Sequence, residues 1–296
     1  MIKNIFRLAI LALPLLPASC IKEGYDDENC PGEYTLILRN PEILGGEEMP
    51  EGKVTVIDGN GNQQTFPAGS NNPIDLEDGQ YTVVTVTGTD EGPAKVEGTT
   101  ISVTTKPDGT AEDMPGDVVG GHTQITVGGN TPGLEETNFD IRTNVQSRPL
   151  VIKLTFEGNN SRLIESIAGT VSGIALSRDL NHGFTPTDGQ DRHPAIEAGD
   201  ISYTFGADPE TDGLYSDTHV LLGIDGDGNQ TLTFTVTYEG GTQKTYTFDI
   251  TPKMDGFHTE DVLKPWVIEL TLRLGADFTA DIEDWKAGPE EWMEAH

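Results

Sequence analysis

Cations are scarce in this chain. Among 296 residues, Lys and Arg number 18 against 49 Asp and Glu, a formal net charge of −31. A nucleic-acid partner needs a basic patch that releases counterions, so this deficit excludes one. It also excludes attachment to anionic lipid through a polybasic face. Cysteine is almost absent: Cys20 and Cys30 are the two in the chain, which rules out a disulfide framework and a thiolate metal cluster. Stability must therefore come from apolar burial, which two units of roughly 110–140 residues can supply. Hydrophobic residues make up 35% and Gly 35 positions, a composition opposed to a Leu-rich helical bundle. The apolar residues that are present fall in short alternating runs, so the chain is not disordered.

One apolar run stands apart, at the N-terminus. Lys3 and Arg7 precede Leu8 to Leu16, a run too short to span a bilayer and typical of an export signal. Pro17-Ala18-Ser19-Cys20 follows and resembles a bacterial lipobox, although proline is unusual there. Cleavage would make Cys20 the first residue and give it acyl chains, a palmitate-type anchor whose several buried chains hold a protein on a membrane. The alternative is an ordinary secretory signal, with Cys20 a structural thiol. The stretch after Cys20, Ile-Lys-Glu-Gly-Tyr-Asp-Asp-Glu-Asn-Cys, is a solvated tether. It is similar to the acidic surface-export signal of Bacteroidetes lipoproteins.

The rest of the chain alternates with a period of two. Residues 34–38, 53–57, 80–87, 99–104, 124–127, 150–156, 201–205, 220–224, 232–238, 244–250 and 266–274 carry the β-branched and aromatic residues that suit a half-buried pleated surface. Turn signals recur every 8–12 residues, the grammar of β-sandwiches. Asp58-Gly59-Asn60-Gly61-Asn62 and Asp225-Gly226-Asp227-Gly228-Asn229 both read as tight hairpin turns. Segments 105–121, 177–200 and 207–217 read as loops. Asn160 to Gly173 has helix-like apolar spacing weakened by Gly169, and reads as a short helix or turn leading into a strand. The expected organisation is a signal peptide over 1–19, a lipidated acidic tether over 20–32, β-sandwiches over 33–145 and 146–275, and a C-terminal strand and tail over 276–296.

No catalytic constellation emerges. The six His residues form no HExxH or His-x-His pair. His182 and His193 share a loop with Asp179, Asp188 and Asp191, where solvated residues are the default reading. Asp225-x-Asp227-x-Asn229 opens like a Ca²⁺ loop, but Gln230 stands where Gly is needed and Val236 where Glu is needed. There is no Gly-x-Ser-x-Gly, and no Gly-rich phosphate loop ends in Lys-Ser/Thr. No enzyme activity, metal or cofactor is expected. The tail is different: Ala276, Phe278, Ala280 and Ile282 alternate with polar residues, and Trp285 follows. This is either the last strand of the second sandwich or a strand available to pair with another subunit.

Cys20, its acidic spacer and Cys30 resemble the N-terminus of the FimB/Mfa2 family of fimbrial anchor subunits of Bacteroidetes. So do Val54 to Gly61, Gly79 to Val84, Arg148-Pro149-Leu150, Ile167 to Ile174, Leu221-Leu222-Gly223 and the Asp284-Trp285 ending. One departure is Ile57, where the family's first meander carries an aromatic. The resemblance implies two tandem transthyretin-like β-sandwiches, of the class shared with type V pilus subunits, on a lipidated base at the outer membrane. It implies pilin subunits as partners, joined by β-strand pairing in a cell-surface fimbria. The candidate pairing strand carries Ala276, Phe278, Ala280, Ile282 and Trp285. The alternative is a surface lipoprotein that binds glycans beside a polysaccharide-uptake system, with Trp285 and Trp292 stacking on sugars. The acid excess would repel the anionic outer leaflet and discourage edge pairing between copies.

Overall fold

The computed structural model describes residues 32–39, 53–69, 71–87, 94–112, 115–128, 138–180, 195–275 and 279–289. The signal peptide, Cys20, Cys30, Ala276, Phe278, Trp292, His182 and His193 lie outside the described residues. Within them the chain forms eighteen strands and two short 3-10 helices. The first ten strands are β1 (Gly32–Arg39), β2 (Lys53–Asp58), β3 (Gln63–Pro67), β4 (Ile74–Leu76), β5 (Gly79–Thr87), β6 (Ala94–Glu97), β7 (Thr100–Val103), β8 (Val119–Val127), β9 (Asn138–Arg142) and β10 (Asn144–Val145). The other eight are β11 (Arg148–Glu157), β12 (Ile164–Asp179), β13 (Ala195–Ala207), β14 (Leu214–Leu221), β15 (Thr231–Tyr238), β16 (Gln243–Asp249), β17 (Trp266–Leu274) and β18 (Ala280–Pro289). The all-β architecture expected from the period-two pattern is what the chain adopts. No helix among the described residues is long and apolar enough to cross a membrane.

Two sheets build the smaller core. One runs β10-β8-β5-β2-β3 and the other β4-β1-β9, with β1 and β9 parallel. Alternate residues point inward, so Leu36, Leu38, Val54, Val56, Val83, Ile125 and Ile141 are buried together. The β2–β3 hairpin closes through Asp58, whose Oδ1 accepts from the N–H groups of Asn60 and Asn62, both at 2.8 Å. Its Oδ2 accepts from Asn62 Nδ2 at 2.7 Å. Gly61 supplies the left-handed residue this turn needs (φ 84°).

These turn bonds have a pH consequence. The Asn62 side chain, with help from backbone N–H groups, holds the Asp58 carboxyl below its ordinary value; Thr110 and Thr251 do the same for Asp108 and Asp249. A depressed carboxylate stabilises the fold above the ordinary value of 3.8, and that contribution is lost as pH falls through the depressed one. Asp58→Asn mimics the protonated acid. Its melting temperature is expected to lie below the wild type's at neutral pH and to converge with it in acid; a gap independent of pH would contradict this account.

The larger core lies within the path β16-β15-β12-β13-β14-β11-β17-β18. The path folds into two layers at β13, which pairs with β12 through Phe205 and with β14 only at Gly206 and Ala207. Asp217 secures this bend, its Oδ2 accepting from Thr204 N–H at 2.7 Å. Across the layers Phe156 on β11 meets Phe234 on β15 edge-on at 6.3 Å, and Phe205, in the same layer as Phe234, meets it edge-on at 6.3 Å. Gly169 sits opposite Phe234, and a Cβ there would lie 2.4 Å from the Thr233 carbonyl oxygen and 2.7 Å from Phe234 Cβ. The absence of a side chain lets the ring fill that space.

Several local readings need correction. The loop expected over 177–200 gives way to β12 up to Asp179 and to β13 from Ala195. The loop expected over 207–217 shortens because β14 begins at Leu214, and that over 105–121 because β8 begins at Val119. Asp225 to Asn229 is not a hairpin turn. It joins β14 to β15, which are not neighbours in the sheet. Gln230 is buried beneath it, and its Nε2 donates to the carbonyls of Asp225 (2.7 Å) and Gly228 (3.1 Å). The amide thus holds the loop from inside, where a Ca²⁺ loop would need a glycine.

The two cores are tied by polar groups and by an exchange of strands. The β6–β7 hairpin pairs onto the end of β12, Ser102 opposite Ser177 and Ile101 opposite Arg178. Ala94, Ile101, Val103, Ala111 and Val118 accordingly pack into the larger core. Gln146, between β10 and β11, is fully buried. Its Nε2 donates to the carbonyls of Gly120 (2.8 Å) and Leu180 (3.2 Å), and its Oε1 accepts from the buried Arg178 guanidinium. Next to it Ser147 Oγ accepts from Val118 N–H at 2.8 Å and donates to Gly116 at 3.0 Å.

Candidate functional site

Among the described residues the candidate pairing strand is the edge of a sheet. β18 lies antiparallel to β17, Leu274 opposite Ala280, Leu272 opposite Ile282 and Leu270 opposite Trp285. Directly opposed residues share a face, and Leu270, Leu272 and Leu274 are core residues. Ala280, Ile282 and Trp285 therefore face the core side together. The odd spacing of Trp285 follows from a register shift between Thr271 and Leu272, which leaves Glu283 as the extra residue of a bulge. The structure thus brings three of the five candidates onto one face; Ala276 and Phe278 are outside the described residues.

Trp285 forms the closure of the sandwich along this edge. Its ring meets Phe248 of β16, the opposite end strand of the path, edge-on at 6.0 Å. Lys253 Nζ donates to the Trp285 carbonyl at 3.1 Å and lies 5.6 Å from the ring centroid. The indole N–H is buried without an acceptor among the described residues, a cost on the order of 1–3 kcal/mol. Ile282, at 46% exposure, is one of four large hydrophobic residues exposed among those described. Phe248 and Lys253 were not legible as parts of this site; only the tail's own alternation pointed to it.

The opposite side of this layer is charged. Lys153 on β11, Glu269 on β17 and Lys286 on β18 stand in one row across the strands, with Lys153 Nζ 3.4 Å from Glu269 Oε1. They border a depression of about 320 Å³. Lys286 lies 3.1 Å from Asp284; with the Trp285 N–H it holds the Asp284 carboxyl low, and the carboxylate raises Lys286 in turn. Exposed pairs of this kind contribute little to stability.

The other singled-out residues have structural surroundings. His219 Nε2 lies 3.4 Å from Asp217 and its ring 4.5 Å from the Tyr203 ring. His258 Nε2 accepts from Ile224 N–H at 3.1 Å, so the ring is held as the Nδ1–H tautomer. His122 Nε2 pairs with Asp179 at 3.1 Å. No group of three or more His, Cys, Asp or Glu among the described residues is arranged to hold a metal. Trp266 is buried and donates Nε1–H to the Lys253 carbonyl at 3.0 Å, so neither it nor Trp285 forms an exposed sugar-stacking platform.

The stacked sheets and the two cores between them define an all-β sandwich protein. The family described as fimbrillin-A associated anchor proteins Mfa1 and Mfa2 matches residues 27–287, and the chain belongs to it. In fold the chain is similar to the fimbrial anchor protein Mfa2 from Porphyromonas gingivalis, at 11% identity over 88% of this chain and 98% of that one, TM-score 0.56. It is also similar to a candidate adhesin from Bacteroides ovatus, at 12% identity over 89% and 96% of the two chains, TM-score 0.56. A second B. ovatus structure of that description matches at 11% identity over 75% and 84%, TM-score 0.52. No curated protein matches the chain. The family is one of fimbrial anchor proteins.

Proposed function

We propose that this protein is an outer-membrane lipoprotein, held by acyl chains on Cys20, that serves as an anchor or accessory subunit of a fimbria and joins pilin subunits by β-strand pairing. Family membership over residues 27–287 carries the reading. The sequence supports the anchor through its short apolar run and the small residues before Cys20. With Cys20 in the membrane, the eleven intervening residues allow Gly32 to stand up to roughly 40 Å away. We take residues 33–145 and 146–275 as two tandem transthyretin-like sandwiches.

The pairing site is β18, the terminal strand of the sheet path. An edge strand offers main-chain groups for affinity and alternate side chains for specificity. Ile282 is exposed on that strand, and the indole N–H of Trp285 has no acceptor among the described residues. A partner strand would cover the apolar side chain of Ile282, and a charge in its place would have to be desolvated on pairing. Ile282 is about half covered, so Ile282→Lys is expected to cost about 1 kcal/mol of folding stability and leave the fold intact, while weakening capture of purified pilin at least about tenfold, or about 1.4 kcal/mol. Undiminished capture by a folded Ile282→Lys protein would place the contact elsewhere.

A further inference from the structure

The outer edge of β18 is not open along its whole length. Gly275 N–H donates to the Thr279 carbonyl at 2.8 Å, which turns the Gly275 N–H toward the tail. Main-chain groups point to alternate sides along a strand, so Leu274, Leu272 and Leu270 turn theirs toward β11. The residues opposite them are Ala280, Ile282 and Trp285, whose main-chain groups therefore point away from β17. Ala287 and Pro289, opposite Ile268 and Trp266, continue this row. These are the groups that an added strand would meet. Pro289 has no N–H to offer it.

One acceptor in the row is already taken. Lys253 Nζ donates to the Trp285 carbonyl at 3.1 Å and lies 5.6 Å from the indole centroid. Lys253 is not part of the strand. It ends the 3-10 turn Thr251–Lys253, in the connection between β16 and β17. That turn is fixed on both sides of the residue: Lys253 N–H donates to the Ile250 carbonyl at 2.8 Å, and the Lys253 carbonyl accepts from Trp266 Nε1 at 3.0 Å. The acceptor is fixed too, because the Trp285 ring rests against Phe248 at 6.0 Å. A second segment thus delivers an ammonium to the outward main chain of β18. A bond from a charged donor is stronger than the neutral N–H bond of an added strand.

We propose that Lys253 gates the β18 edge: a strand can add along Ala280 and Ile282 with the ammonium in place, but pairing on through Trp285 and Ala287 requires its displacement. The proposal rests on the reading of β18 as the pairing strand. An incoming strand would bring an N–H donor to the position that Nζ occupies, and the two exclude each other. A lysine at an unpaired edge opposes indiscriminate strand addition, including addition of a second copy of this chain. While the gate is shut, apparent affinity is reduced by the fraction of molecules in which it is open. A long, well-matched pilin strand replaces the lost bond with several of its own, whereas a short or poorly matched strand does not. The device therefore selects the partner by the length and fit of its strand.

The test is capture of purified pilin by the immobilised full chain, followed by biolayer interferometry. Lys253→Met keeps an apolar stem beside the indole and removes the donor. It is expected to tighten capture at least about threefold, chiefly through faster association, because a required opening step lowers the on-rate. Lys253→Arg keeps a cationic donor and should bind like the wild type. So should Lys95→Met, which removes an equal charge from an exposed position on β6. A lysine with a merely structural role would give the opposite sign, since a disordered edge captures less. If Lys253→Met does not fold, Lys253→Gln, shorter and uncharged, should tighten capture likewise. Ile282→Lys is measured alongside. Weak capture by Ile282→Lys with no gain in a folded Lys253 variant would overturn the gate and leave β18 as the pairing site. Full capture by a folded Ile282→Lys protein would remove the β18 reading and the gate with it.

Discussion

Arg148→Ala is expected to destabilise the fold by about 3–5 kcal/mol, because three backbone carbonyls lose a charged donor, each loss worth about 1–3 kcal/mol. The Arg148 side chain is completely buried. Its Nε donates to the Lys264 carbonyl at 2.8 Å, Nη2 to Asp261 at 3.1 Å, and Nη1 to Phe257. The guanidinium also lies 5.4 and 5.1 Å from the ring centroids of Phe257 and Trp266. Burial pushes its pKa down to about 10, against the pull of Asp261 and Glu260. Three carbonyls of one connecting segment therefore depend on a single side chain. Asp261, in that segment, adopts a left-handed conformation (φ 35°), which Asp tolerates better than most residues. Arg148→Lys should recover less than half of the loss, because an ammonium cannot span the three acceptors as a planar fork. Urea unfolding measures both variants; a loss below about 1 kcal/mol for alanine would show that the segment satisfies its carbonyls without Arg148.

Gln146→Leu is expected to cost about 2–4 kcal/mol, since two buried carbonyls and the Arg178 guanidinium each lose a partner. The leucine adds apolar bulk of similar size, so the loss isolates the polar contribution. Gln146 bridges Gly120 of β8 and Leu180 after β12, strands belonging to the two different cores. The variant should therefore also split a single unfolding transition into two, followed by tryptophan fluorescence and by circular dichroism. All three Trp residues lie beyond residue 265, so fluorescence reports the second half of the chain. Coincident transitions with unchanged stability would show that the β6–β7 exchange alone couples the cores.

The strand grammar was legible in the sequence wherever alternation was unbroken. β11 buries every second residue from Arg148 to Phe156, and β15 does so from Leu232 to Tyr238. It was not legible where the register shifts. β12 has irregularities between Val171 and Ile174 and again at Ser177. Its buried Ile167, Val171 and Ile174 consequently fall at helix-like spacing, with Gly169 as an empty inward position. The same physics moved Trp285 onto the face of Ala280 and Ile282 through the bulge at Glu283. The hairpin reading of Asp225 to Asn229 failed for another reason: near-identical strings, Ile57 to Gln63 and Ile224 to Gln230, close a hairpin in one place and a crossover in the other. Local turn chemistry does not specify which strand comes next. The edge position of β18 and the contact of Trp285 with Phe248 are tertiary, and no pattern within the tail encodes them.

The acid excess that first excluded phosphate-bearing partners is also compatible with a body held off an anionic surface by its own charge while a lipid anchor retains it. The central claim is that this chain, fixed by Cys20, holds fimbriae to the outer membrane. Cells producing the Cys20→Ala protein, with its leader replaced by one that directs soluble export, test it directly by fractionation. The account predicts that the variant chain and the fimbriae are recovered together in the medium, while wild-type cells keep both in the outer-membrane fraction. Fimbriae that stay on cells releasing the variant chain would contradict it.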